Sequence, residues 1–85
     1  VRSIRIETRT LPPTETKDKR VRVRSQDGTV ADYPWDHRYD AHEVHYFAAR
    51  KVAVMENPNQ EITVVKSADA DMGYVFLAVI GRVAQ

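Results

Sequence analysis

These 85 residues predict an α+β fold. It is a single small domain in which a mostly antiparallel sheet of about five strands, in chain order β-β-β-α-β-β, carries one long helix packed on one face. Three observations lead there. The stretches SIRIET and RVRVR alternate polar and apolar side chains with a period of two, the pattern of half-buried strands. Asp27-Gly28 stands between two such runs and marks a hairpin, because glycine accepts the positive φ that a tight turn needs. From Asp40 the period changes, and apolar residues recur every three or four positions until NPN at 57–59 stops the run.

Each element follows in turn. In the first strand Ile4, Ile6 and Thr8 share one face, and Arg5, Glu7 and Arg9 the other. TLPPTETKDK, with two prolines and a polar run, makes an exposed loop over 10–18. The second strand, 19–25, turns Val21 and Val23 inward and sets Arg20, Arg22 and Arg24 on its outer face; it pairs with 29–33. Pro34 has no amide hydrogen, so it ends that third strand or lies at an edge. The helix spans about 41–56, started by a capping box of Asp40 and Glu43 and a hydrophobic staple of Tyr39 and Val44. Val44, Phe47, Ala48, Val52 and Met55 form its apolar stripe. EITVVK is a fourth strand with Ile62 and Val64 inward, SADADMG a loop, and YVFLAVIGRV a final strand buried on both faces. Residues 1–85 thus read as one domain.

Composition narrows the function classes. Hydrophobic residues at 42% and charged residues at 29% are ordinary for a soluble globular chain. Without cysteine, disulfides and thiolate metal sites are excluded. The longest nearly apolar run, GYVFLAVIG, is too short to span a bilayer, and VRSIRIETR is unlike a signal peptide. The expectation is a cytosolic protein with no membrane partner. Net charge is +1 but unevenly spread: residues 1–24 hold eight Lys/Arg against three Asp/Glu, and the remainder five against nine. That asymmetry points to a charged partner for one face, or to two halves that neutralise each other across the sheet.

The densest chemistry is PWDHRYDAHEVH at 34–45. His37, His42 and His45 with Asp36, Asp40 or Glu43 supply the ligand types that zinc takes. HEVH, however, is one residue short of the metalloprotease spacing, and Asp40 and Glu43 already have capping work. We therefore expect no metal and no cofactor, with the three histidines as the only metal candidates. The chain has no glycine-rich phosphate loop, and Ser25 and Ser67 lie in no nucleophile context, so a non-enzymatic protein is expected. The stronger signal lies upstream. Arg20, Arg22 and Arg24, with Lys17 and Lys19 before them and Arg5 and Arg9 supporting, make a cationic stripe able to follow a phosphate backbone. Tyr33 and Trp35 in the neighbouring strand are placed to stack on bases.

The order TRTLPPT, RVRV, DG, PWDH and then EVHYFAA resembles a family of small phage, plasmid and other mobile-element proteins. The residues that carry it are Thr8, Arg9, Leu11 and Thr14; Arg20 to Val23; Asp27 and Gly28; Pro34 to His37; and His45, Ala48 and Ala49. The resemblance implies an accessory protein acting in the bacterial host cytosol. It also implies that PWDH belongs with the hairpin, with His37 buttressing backbone at the corner. Two functions follow as expectations: a nucleic-acid-associated protein, or an anti-CRISPR-like inhibitor that binds a host protein through acids such as Asp32, Asp36, Asp40, Asp69 and Asp71. Exposed sheet edges make a homodimer a further expectation.

Overall fold

The computed structural model describes residues 2–81. Five strands and one helix follow in the order β1 (Arg2–Leu11), β2 (Arg20–Ser25), β3 (Val30–Pro34), α1 (Ala41–Glu56), β4 (Ile62–Ala70) and β5 (Gly73–Ile80). They build one antiparallel sheet in the order β3-β2-β1-β5-β4 with α1 on one face, an α+β domain with the predicted element order. β1 is the centre: its alternating residues pair with β2 on one side (Thr8 with Val23) and with β5 on the other (Thr8 with Tyr74).

Alternation decides what is buried. Ile4 and Ile6 of β1, Val21 and Val23 of β2, Val64 of β4 and Phe76, Ala78 and Ile80 of β5 point at α1 and form the core. The helix meets them with Val44, His45, Ala48, Ala49, Val52 and Ala53. Three alanines on that face let the helix backbone lie close to the sheet. The predicted stripe is rotated by this choice: Phe47 and Met55 are 38% and 57% exposed, and His45 at 1% takes an inward position. A small-residue face seats the helix closer than a face with Phe47 beneath it, and the ring is left at the flank.

Both helix ends are tied. Asp40 accepts from the Glu43 backbone N–H at 2.9 Å, and the Glu43 carboxylate accepts from the Asp40 N–H, completing the predicted capping box. Tyr39, before the cap, packs edge-on against Phe47. At the other end the Glu56 carboxylate accepts from the hydroxyls of Ser25 (2.7 Å) and Thr29, so the β2–β3 turn is clamped to the helix terminus. Buried Asn57 caps α1, its side-chain amide donating to the Ala53 carbonyl at 3.1 Å. Gly28 turns the hairpin at φ 104°.

Two other predicted features differ. SADADMG is not a loop: β4 runs through it to Ala70, with a bulge between Lys66 and Ala68 absorbing the polar stretch, and a tight turn at Asp71-Met72 joins β5. β5 is not buried on both faces, because Leu77 on the side away from α1 is 37% exposed. The Arg82-Val83 end of that predicted strand lies outside the described residues.

At the entry to β5 the chain passes close against the backbone of β1. A Cβ on Gly73 would sit 1.8 Å from the Thr8 carbonyl oxygen. Gly73→Ala is expected to destabilise the fold by about 2–3 kcal/mol through forced backbone displacement, measured by urea unfolding, whereas exposed Ala70→Gly nearby should cost under about 1 kcal/mol.

Candidate functional site

The three histidines separate. His45 is buried between Trp35 and Tyr74, whose rings meet it edge-on at 5.7 and 5.1 Å. Its Nδ1 lies 2.7 Å from the Thr8 hydroxyl and its Nε2 2.9 Å from the Thr10 hydroxyl. Thr8 directs its own hydroxyl hydrogen to the Tyr74 carbonyl at 3.4 Å, so it accepts from Nδ1–H, and Thr10 donates to Nε2. One relay, Thr10 to His45 to Thr8 to Tyr74, uses every polar atom of a neutral imidazole. Burial, with smaller contributions from His42 and Lys19, lowers the His45 pKa from 6.5 to about 4. His42 stands exposed against the edge of Tyr74, and His37 is exposed. No three His, Asp or Glu side chains gather as a metal site among the described residues. The corner that His37 was expected to buttress is made by Asp36, which accepts from the Arg38 backbone N–H and guanidinium at 3.0 Å each. The Arg38 hydrogen bonds hold the Asp36 carboxyl at about 2.

The arginines gather on the opposite face of the sheet. Because Arg22 pairs in register with Arg9 of β1 and Asp32 of β3, all three project outward, away from α1. Arg22 makes a two-pronged bridge to Asp32 at 2.8 and 3.0 Å, and these hydrogen bonds raise the Arg22 pKa and lower that of Asp32. Arg5 pairs with Glu7 at 2.7 Å. Arg9, Arg22 and Arg24 line one depression of about 420 Å³, which also touches Glu7, Leu11 and Asp71. Arg20 continues the row but is partly buried, and its Nε and Nη1 have no hydrogen-bond partner among the described residues. Lys17 sits in the exposed loop, close enough to Asp32 to help lower its pKa.

Two predicted members of this stripe lie elsewhere. Trp35 packs against the core on the helix side, and the Lys19 ammonium rests 3.9 Å over its ring, so neither joins the arginine row. Tyr33 pairs with inward-facing Val21 and shares that side. The stacking expectation fails for a geometric reason: strand alternation that puts Arg20, Arg22 and Arg24 outward puts Tyr33 and Trp35 inward. Of the acids named for a host-protein contact, Asp32 and Asp36 pair with Arg22 and Arg38, Asp69 with Lys66, and Asp40 caps α1. Comparison with protein-family models, curated proteins and solved structures gives no match for the chain.

Sequence reasoning missed the threonine pair that holds His45. Thr8 and Thr10 share the inward face of β1 with Ile4 and Ile6, and a polar residue continuing an apolar row was the available signal.

The imidazole makes stability depend on pH. A histidine whose pKa is depressed by folding contributes stability that is present above the unfolded value of 6.5 and is lost as pH falls toward about 4. Urea unfolding from pH 7 to 4 should show a loss of about 3 kcal/mol from this group. His45→Gln is expected to be less stable at pH 7 and to lack that part of the pH slope.

Proposed function

We propose that the chain is a non-catalytic binding protein that takes the phosphate backbone of a nucleic acid on the outer face of its sheet. The observation that carries this reading is the convergence of Arg9, Arg22 and Arg24 on one depression, with Arg9 directly opposite Arg22 across the β1–β2 ladder. Like charges in that position oppose sheet formation. Asp32 bridges Arg22, and Glu7, opposite Arg24 in the ladder, is itself bridged to Arg5. With Asp71 at the rim of the depression, an anionic ligand would offset the charge left on Arg9 and Arg24. A phosphate row suits the site, since guanidinium groups on adjacent strands can each meet a phosphate oxygen.

Among the described residues the same face has no aromatic side chain to stack on bases, so the reading is of backbone contact with little sequence preference. Arg5, Arg20 and Lys17 extend the positive field around the central three. Such a protein fits the accessory role of a phage or plasmid product that the resemblance implies, acting in the host cytosol.

A mobility-shift titration of duplex and single-stranded oligonucleotides at two salt concentrations tests this. Arg9→Ala/Arg24→Ala should weaken duplex binding at least tenfold and flatten the slope of log affinity against log salt by about 1.8, two phosphate contacts at about 0.9 each. Lys51→Ala, on the helix side, should leave both unchanged. Equal binding by the double variant and the parent chain would refute the proposal.

A further inference from the structure

A wide concavity lies on the other side of the sheet, and nothing in the phosphate-binding reading uses it. α1 packs across β2, β1, β5 and β4 and leaves the inner side of β3 largely open. Between them runs a groove of about 570 Å³, lined by Tyr33, Phe47, Val54 and Met55 over buried Val21. Phe47, Val54 and Met55 are 38%, 43% and 57% exposed, three large apolar side chains at helical spacing on one flank of α1. The groove's charged lining is Arg38, Arg50 and Lys51 against Asp36 alone.

β3 is also an open edge of the sheet. Ser25 donates to Thr29 and Trp35 donates to Lys19, so the residue pairs 25/29, 23/31, 21/33 and 19/35 face each other with their hydrogen-bonding groups. The alternate residues Val30, Asp32 and Pro34 therefore turn their backbone groups away from β2. That edge presents the N–H groups of Val30 and Asp32 and the carbonyls of Val30, Asp32 and Pro34; proline supplies no third donor. An extended chain laid along it would continue the ladder. Its alternate side chains would fall on the same face as Ala31 and Tyr33, directly over the groove.

We propose that β3 and α1 together form a docking site for an extended peptide segment of a partner protein, added as a sixth strand. The segment carries apolar side chains at alternate positions, seated on Phe47 and Met55. It carries Asp or Glu beside them, matched to Lys51, since Arg38 is already bridged to Asp36 and the Arg50 guanidinium donates to the Ile62 carbonyl. Backbone pairing supplies affinity and the groove supplies selectivity, as in other strand-addition complexes. None of the groove's lining residues belongs to the arginine row.

Selection from a random peptide display library against the folded chain supplies the probe, and the strongest recovered peptide is then labelled for anisotropy. The expected outcome is a peptide class alternating apolar residues with Asp or Glu. Phe47→Glu and Met55→Glu, at exposed positions, should each weaken its binding about tenfold, while Arg9→Ala/Arg24→Ala leaves it within about twofold. Amide exchange at Val30 and Asp32 should slow at least tenfold on binding, a readout that a helix lying in the groove would not produce. Recovery of no such class, binding indifferent to both glutamate variants, unprotected Val30 and Asp32 amides, or protection of those amides by a second copy of the chain without peptide would each overturn the proposal.

Discussion

A single helix has to seal one face of a five-stranded sheet. The helix with its side chains is about 10–12 Å across, while five strands spaced about 4.8 Å apart make a sheet roughly 19 Å wide. The chain meets this mismatch by laying the helix across four of the strands, β2, β1, β5 and β4. α1 covers them with a face of small residues, Ala48, Ala49 and Ala53, and larger side chains from the sheet, Phe76, Ile4, Ile6 and Ile80, rise to meet it. What the helix does not reach becomes surface, and the flank beside β3 is where the shortfall is greatest. The uncovered outer face is polar on β1, β2 and β3, where Arg5, Glu7, Arg9, Arg22 and Asp32 project outward.

A helix lying on a sheet through small residues is free to slide, and polar contacts remove that freedom. The His45 relay ties the first half of α1 to β1 and, through the Tyr74 carbonyl, to β5. Glu56 ties the last residue of α1 to the β2–β3 turn through Ser25 and Thr29. The two ties sit near opposite ends of the helix and on different strands, so together they set both its position along the sheet and its rotation. That rotation explains why Phe47 stands at the flank. It also connects the two proposed binding regions physically, since β2 contributes arginines to one face and Val21 to the floor of the other.

Much of this was legible beforehand, for reasons visible in particular residues. Period-two alternation identified β1 and β2 and placed Arg20, Arg22 and Arg24 on one face, because alternation is a local property of extended backbone. Asp40 and Glu43 marked the helix start, since capping depends on residues three apart. Sequence could not rank two helix faces of similar hydrophobicity. Phe47 and His45 are two positions apart in the chain, and only the partners Thr8 and Thr10, more than thirty residues away, make the histidine the buried one. The same limit applied to Tyr33 and Trp35, whose aromatic character suggested stacking but whose parity with Val21 set them inward. SADAD read as loop from composition, and a bulge in β4 let the ladder carry it.

The central place of β1 has a consequence for synthesis. Chains are made from the N-terminal end, so the β1–β2–β3 meander can pair as it emerges, through neighbours close in sequence. The other edge of β1 must wait for β5: Thr8 meets Tyr74 66 positions later. Until then one edge of the central strand, with Ile4 and Ile6 beside it, is exposed to whatever else is present. Closure of the sheet is thus a late, non-local event, and the partly built chain is most vulnerable to misassembly along the strand that ends up best protected.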